Sequence, residues 1–207
     1  MFNNIAVAAN YAVERHHARR VLIIDYDVHH GNGTQDIFYH DGRVLFFSIH
    51  EHPLYPGSGF ADESGAGDGE LATINVPLPP GSGDRGYAKA FSEVLLPAAH
   101  RFRPDLVLVS AGFDGHWLDP LASMTLSVAG FAHLAEEVIT LARAVCDGRV
   151  AFFLEGGYDL EVLSSAVEAT CAVIHGLPFS DPIGPAPGHS EPNIDRVLAA
   201  VKAIHNL

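Results

Sequence analysis

Cysteine is scarce in this sequence of 207 residues. The two cysteines, Cys146 and Cys171, both fall in segments with helical periodicity. A disulfide framework needs more cysteines than this and is typical of small secreted chains. The cysteine content therefore favours reduced thiols and predicts a cytoplasmic location.

Basic side chains are also few. The chain has 12 lysines and arginines against 25 aspartates and glutamates, which gives a formal net charge of −13 with histidine neutral. A protein that binds the nucleic-acid backbone needs a basic face, so direct nucleic-acid binding is not expected. The acidic balance suits a cationic substrate instead.

Long apolar runs are absent from the sequence as well. No run approaches the about 20 residues that span a bilayer, and residues 1–4 do not combine a basic start with an apolar stretch. Neither membrane insertion nor export is therefore expected. Because 48% of the residues are hydrophobic and only 18% are charged, the chain is too apolar for a disordered protein.

Four short segments are almost continuously apolar and rich in β-branched or aromatic residues. They are residues 21–25, 44–49, 106–110 and 150–154. Continuous rather than alternating patterning predicts strands that are covered on both faces, as in a parallel sheet between helices. A weaker fifth strand is predicted over residues 72–76, where Pro77 would stop it.

Helical periodicity appears between these segments. It covers residues 5–19, 86–100, 128–144, 160–175 and 194–204. Strands that alternate with helices predict an open α/β sheet in one domain over residues 1–207. Within it, residues 178–207 form a proline- and glycine-rich strap and a final helix, and the long loop over residues 56–69 is typical of a site or a lid.

Polar residues follow the first predicted strand at every second position. On an extended chain Asp25, Asp27 and His29 point the same way, at the carboxyl end of a strand, where open α/β sheets place their ligands. Three ionisable groups there would be costly unless a cation or hydrogen bonds compensate them. The alternative is a set of solvated loop residues or helix caps.

Asp114 follows another predicted strand and can join Asp27 and His29 at the same sheet edge. Two carboxylates and one imidazole leave a coordination position open, as in catalytic zinc sites, and such ligands also admit Fe²⁺ or Mn²⁺. Taken alone, Asp114 would be an ordinary turn residue. His50 and His52 are spaced like a second metal pair, but Pro53 redirects the chain after them.

Tyr158 follows two glycines, Gly156 and Gly157, behind the last predicted strand. Glycines allow a close backbone approach, so a phenol held there could donate a hydrogen bond to a carbonyl oxygen at the metal. The alternative is a tyrosine that only caps the following helix.

Four motifs occur in a familiar order, at residues 25–35, 55–59, 110–114 and 155–158. Together they resemble the histone deacetylase superfamily, which includes acetylpolyamine amidohydrolases and acetoin-utilisation proteins. The form is most similar to bacterial, class II-like members. The resemblance implies an arginase-like three-layer α/β fold with a mostly parallel sheet.

The resemblance also implies roles for individual residues. Asp27, His29 and Asp114 would bind a catalytic zinc ion, and Tyr158 would polarise the acetyl carbonyl. The other implied roles are substrate contacts at Tyr55, Gly156 and Gly157, a structural K⁺ or Na⁺ site at Asp25, Ser48 and Ile49, and orientation of catalytic histidines by Asp25 and Asn32.

One departure from the family pattern is visible. The family carries a tandem histidine pair ahead of the position where this sequence begins, and those histidines move the proton during hydrolysis. We therefore expect the first strands of the sheet to be missing. A shortened sheet exposes an apolar edge that favours association, which would include a homo-oligomer.

Two functional hypotheses follow. In the first, the chain is a zinc-dependent amidohydrolase that removes acetyl groups from acetyl-lysine, acetylated polyamines or other small acyl amines. In the second, it is a metal-binding but inactive piece that needs the tandem-histidine segment.

Overall fold

Five parallel strands form the centre of the fold. The structure, a computed structural model, describes residues 2–207. The strands are β1 (Val21–Asp25), β2 (Val44–Glu51), β3 (Thr73–Leu78), β4 (Leu106–Ala111) and β5 (Val150–Leu154). Their order in the sheet is β3-β2-β1-β4-β5, and every neighbouring pair is parallel.

Helices connect the strands and cover the sheet. They are α1 (Asn4–His16), α2 (Asn32–Phe38), α3 (Asp84–Ala90), α4 (Leu96–Phe102), α5 (Val128–Cys146), α6 (Leu160–His175) and α7 (Asp195–His205). A π-helical turn, Phe91–Leu95, joins α3 to α4, and a short 3-10 turn, Gly67–Gly69, precedes β3.

The sheet is packed on both faces, which makes three layers. Val21 and Ile23 of β1 belong to an apolar cluster with Ile5 of α1, whereas Leu22 and Ile24 belong to a larger cluster with helices on the opposite face. Alternate residues of a strand point to opposite faces, so a continuously apolar strand serves both layers. The predicted α/β fold with a parallel sheet is confirmed.

Two predictions about local structure were wrong. The strand predicted to stop at Pro77 continues through it to Leu78. Since β3 is an edge strand, a residue without an N–H is tolerated there. The helix α2 was not predicted, because it has only seven residues and because Gly31 and Gly33 at its start have a low helix propensity.

The opposite edge of the described sheet is β5. Its residues are only partly buried, and Leu154 at its end is 59% exposed. The following helix adds the exposed side chains of Leu160, Val167 and Ile174. This edge therefore has the apolar character expected from the sequence, and association through it stays a prediction. No helix within residues 2–207 combines the length and the apolar character needed to cross a membrane.

The helix α7 carries a histidine whose titration should affect stability. His205 is fully buried, and its burial, followed by the nearby Arg101 charge, lowers its pKa to about 4. The unfolded chain takes up this proton near pH 6.5. The unfolded state therefore binds more protons between pH 6.5 and 4, so acid should decrease the free energy of unfolding across this window.

We expect the variant His205→Phe to lose less stability than the wild type between pH 7 and pH 4, as measured by urea unfolding. The control is His100→Phe, because His100 is an exposed residue of α4. It should show the wild-type pH dependence. Equal pH dependence in wild type and His205→Phe would contradict the assignment.

Candidate metal centre

The chain bends at the end of β1 instead of remaining extended. Asp25 is the last residue of the strand, and its Oδ1 accepts a hydrogen bond from the Asp27 amide at 3.1 Å. Asp27 in turn accepts a bond from the His29 amide at 2.9 Å. These side-chain turns put Asp27 and His29 in the site, while Asp25 is buried beneath it. The expectation that all three side chains point the same way was therefore wrong for Asp25.

Three side chains meet at the carboxyl edge of the sheet. The Nδ1 atom of His29 lies 3.0 Å from Asp114 Oδ2 and 3.2 Å from Asp27 Oδ1. One possible ligand atom from each residue lies within 4.8 Å of the other two. Bond lengths of about 2.0–2.2 Å and a tetrahedral angle separate two zinc ligands by roughly 3.4 Å. The donor atoms therefore fit a zinc-sized ion.

Backbone amides orient both carboxylates. The Gly156 amide donates to Asp27 Oδ2 at 2.8 Å, and the Val28 amide donates to Asp114 Oδ1 at 2.9 Å. Each carboxylate thus has one oxygen held by one of these amides and the other oxygen next to the His29 imidazole. Such contacts fix the orientation of metal ligands before the metal arrives.

Two glycines allow the strand ends to approach these carboxylates. A Cβ atom on Gly112 would lie 2.3 Å from Asp27 Oδ2, and one on Gly156 would lie 2.1 Å from Asp114 Oδ2. Both contacts are far shorter than van der Waals distance, so a side chain at either position would displace a carboxylate. Gly156 therefore shapes the site, whereas the substrate contacts expected of Gly156 and Gly157 stay a prediction.

The electrostatics of the site call for a cation. Burial, with repulsion from Asp27, raises the pKa of Asp114 to about 6 even though His29 opposes the shift. Hydrogen bonds to Asp114 and Asp27 raise the pKa of His29 to about 10. Without a metal, the imidazole therefore holds a proton between the two acids. Since a metal ligand must be unprotonated, metal binding displaces that proton.

Tyr55 and Tyr158 are the two tyrosines predicted to contribute to the site. The ring of Tyr55 is 6.5 Å from the ring of His29 and is 78% exposed. Tyr158 is 52% exposed, and its pKa is raised by burial and by the Asp114 and Asp27 charges. The structure thus places Tyr55 near His29, and the charges of Asp114 and Asp27 act on the Tyr158 phenol. The catalytic role of Tyr158 stays a prediction.

The predicted monovalent-cation residues are neighbours in the sheet. Asp25 on β1 pairs in register with Ser48 on β2, and Ile49 is the next residue. Burial raises the pKa of Asp25 strongly, and the Asp27 charge adds to the shift. The Ser48 hydroxyl lies 2.9 Å from His50 Nδ1. The cation site stays a prediction, as does the orienting role of Asn32, which is exposed at the start of α2.

A buried polar network beside the site was missed in the sequence. His30 lies between Ser58 at 2.8 Å and Gln35 at 3.1 Å, and Gln35 donates to Glu63 at 2.6 Å. Glu63 also accepts a bond from the Gly59 amide at 3.0 Å. These bonds attach the glycine-rich loop to α2. The only sequence signal for these hydrogen bonds was weak. His29 and His30 are adjacent, and because the metal site uses His29, a different role was left for His30.

The two other histidines weighed as a metal pair lie apart from the ligands. His50 is buried, with Nε2 3.0 Å from the Gly59 carbonyl oxygen, and His52 packs edge-on against Phe60. Burial, with repulsion from His30, lowers the pKa of His50 to about 3. Within residues 2–207, Asp27, His29 and Asp114 are the only such group of three close ligands.

The close approach of Gly156 generates a direct test of the site. We expect Gly156→Ala to weaken zinc binding by about 10- to 100-fold, the range typical of changes to groups that orient ligands. Competition with a chromophoric chelator measures the affinity. Gly33→Ala is the matched control, because its added Cβ would meet its nearest neighbour, Asn3 Nδ2, at an ordinary 3.8 Å. Wild-type zinc affinity in a folded Gly156→Ala protein would contradict this geometry.

Comparisons with known proteins show which family this chain is similar to. The sequence model of the family described as "Histone deacetylase domain" matches residues 1–174. A relative named "Histone deacetylase 10, chloroplastic" from Oryza sativa subsp. japonica is 48% identical over 214 residues, which cover 100% of this chain and 48% of the relative. A "Probable deacetylase" from Archaeoglobus fulgidus is 45% identical over 77% of this chain and 44% of its own length.

Solved structures give the same result. The histone deacetylase Clr3 superimposes with a TM-score of 0.88 at 36% identity, over 99% of this chain and 34% of that chain. The HDA15 HD domain gives a TM-score of 0.85 at 38% identity, over 98% of this chain and 54% of that chain. The chain spans about half the length of the curated relatives it matches first. The similarity to bacterial members stays a prediction, because the first relatives are plant proteins. The resemblance to the superfamily is confirmed, and the chain belongs to the histone deacetylase family.

Proposed function

We propose that this chain carries the metal-binding site of a zinc-dependent deacetylase. Its substrates would be acetyl-lysine, acetylated polyamines or other small acyl amines. The observation that carries the proposal is the grouping of Asp27, His29 and Asp114, whose ligand atoms lie within 4.8 Å of one another. The family membership supports the same reaction class.

Asp27, His29 and Asp114 would hold the metal. Bound by these residues, a zinc ion would supply a Lewis acid for the acetyl carbonyl and would lower the pKa of water. Because the protein supplies only three ligands, coordination positions would be left for the carbonyl oxygen and for water. Because two of the ligands are carboxylates, Fe²⁺ and Mn²⁺ are the alternatives to zinc.

Tyr158 would act as the hydrogen-bond donor to the substrate. Its raised pKa keeps the phenol protonated at neutral pH, and its half-exposed side chain can be reached from solvent. The phenol would donate its proton in a hydrogen bond to the carbonyl oxygen, and this bond strengthens as negative charge develops there.

The surroundings of the site suit an amine on an aliphatic chain. Tyr55, strongly exposed beside His29, offers an aromatic wall against which such a chain can pack. The net charge of −13 favours the approach of a cationic amine.

The second hypothesis, a metal-binding but inactive chain, is supported by the search for a general base among the histidines near the ligands. His29 is used as a ligand, and His30 is engaged by Ser58 and Gln35, while burial lowers its pKa. The resemblance implies that a tandem histidine pair makes this proton transfer, and neither His29 nor His30 is placed to take over that role. A chain that binds zinc without turnover is the alternative that this observation favours. The cytoplasmic location and the homo-oligomer stay predictions.

We expect Tyr158→Phe to lower kcat/KM by about 10²- to 10³-fold, the usual effect of removing one oxyanion donor. Zinc affinity should stay unchanged, because the phenol is not one of the three ligands. A fluorogenic acetyl-lysine peptide and the zinc-loaded chain provide the assay. Tyr11→Phe is the control, since Tyr11 lies exposed on α1. A zinc-loaded chain without turnover would support the inactive alternative, and full activity of Tyr158→Phe would contradict the assigned role.

A further inference from the structure

A buried carboxylate holds the backbone of Tyr158. Asp119 lies in the segment between β4 and α5 and is only 6% exposed. Its Oδ2 atom accepts a hydrogen bond from the Tyr158 amide at 2.8 Å, and its Oδ1 atom accepts one from the Leu121 amide at 2.9 Å. Hydrogen bonds to an ionised carboxylate are stronger than neutral ones, so this contact is a firm anchor.

Asp119 is itself fixed by its neighbours. Its amide donates to the His116 carbonyl oxygen at 2.9 Å, and the Leu118 amide donates to His116 Nδ1 at 3.1 Å. The fully buried His116 stacks on Trp117, whose indole N–H donates to the Gly184 carbonyl oxygen at 3.0 Å. The carboxylate therefore sits on a rigid turn.

Residues 113–119 also contact Gly156, two residues before Tyr158. The Phe113 amide, directly before the metal ligand Asp114, donates to the Gly156 carbonyl oxygen at 2.8 Å. Between these two anchors lies Gly157, whose φ of 134° belongs to a region that favours glycine. A glycine there restrains its neighbour weakly, so the Asp119 contact and the capped start of α6 at Asp159 are the restraints on the Tyr158 backbone.

We propose that Asp119 is a positioning residue that aims the Tyr158 phenol at the metal ligands. The proposal rests on the proposed function, because Asp119 would affect the reaction only by holding Tyr158, the proposed hydrogen-bond donor. Residues 113–119 thus connect Asp114 to the hydrogen-bond donor through one rigid segment. The Asp119 charge also contributes to the raised pKa of Tyr158.

The direct test follows the phenol by fluorine NMR in the full chain labelled with 3-fluorotyrosine. The Tyr158 resonance is identified as the one that Tyr158→Phe removes. Adding one equivalent of zinc should shift it in the wild type, because the phenol faces the ion. In Asp119→Ala we expect at least half of that shift to be lost, with zinc affinity within about twofold of wild type.

Two further variants sharpen the result. Asp119→Asn has the same shape but only one acceptor oxygen for the Tyr158 and Leu121 amides, so it should recover part of the shift. Asp105→Ala is the matched control, since Asp105 also accepts two backbone amides, from Arg19 and Arg20, but at the opposite end of the sheet. It should show the wild-type shift. If Asp119→Ala does not fold, Asp119→Ser takes its place, because serine is too short to reach the amide.

A folded Asp119→Ala protein in which zinc shifts the Tyr158 resonance as far as in the wild type would overturn the proposal. A wild-type resonance that zinc does not shift would also overturn it. Turnover separates this outcome from failure of the proposed function. A wild type with the shift but no deacetylation would support the inactive alternative and leave the positioning role standing. Where the chain is active, Asp119→Ala should lower kcat more than it raises KM, and it should add little to the effect of Tyr158→Phe.

Discussion

Two carboxylates, Asp27 and Asp114, lie against the same imidazole, and their negative charges favour a positive charge between them. Burial and mutual repulsion raise the pKa of Asp114 to about 6, and the adjacent imidazole is pushed to the protonated form with a pKa of about 10. A divalent ion relieves this repulsion better than a single proton because it carries twice the charge and accepts all three donors at once. The remaining features of this sheet edge serve to maintain that arrangement.

The sheet supplies the support from three directions. The end of β1 turns Asp27 and His29 inward, the end of β4 presents Asp114, and the residues after β5 bring the Gly156 amide to Asp27. Because Gly112 and Gly156 have no side chains, these segments can lie against the carboxylates without displacing them. The segment after Asp114 then reaches Tyr158 through Asp119, so the ligand and the hydrogen-bond donor share one framework.

Much of this architecture could be predicted from the sequence because its signals are local. The strands Val21–Asp25 and Val150–Leu154 and the helix Leu160–His175 have the predicted ends, since apolar runs and caps mark them. The inward turn that removes Asp25 from the ligand group depends on side-chain to backbone bonds that a strand pattern does not reveal. The anchoring of Tyr158 by Asp119 spans 39 residues and leaves no periodic trace at all.

X-ray absorption at the zinc edge tests the central claim most directly, since it counts the ligand atoms of a metal ion without requiring turnover. The chain has 13 histidines and 2 cysteines that could form an unrelated site. For one equivalent of zinc we predict a shell of oxygen and nitrogen ligands with one imidazole and no sulfur, and loss of this shell in Asp114→Ala. A shell with two or more imidazoles or with sulfur, or one that Asp114→Ala leaves unchanged, would contradict the account.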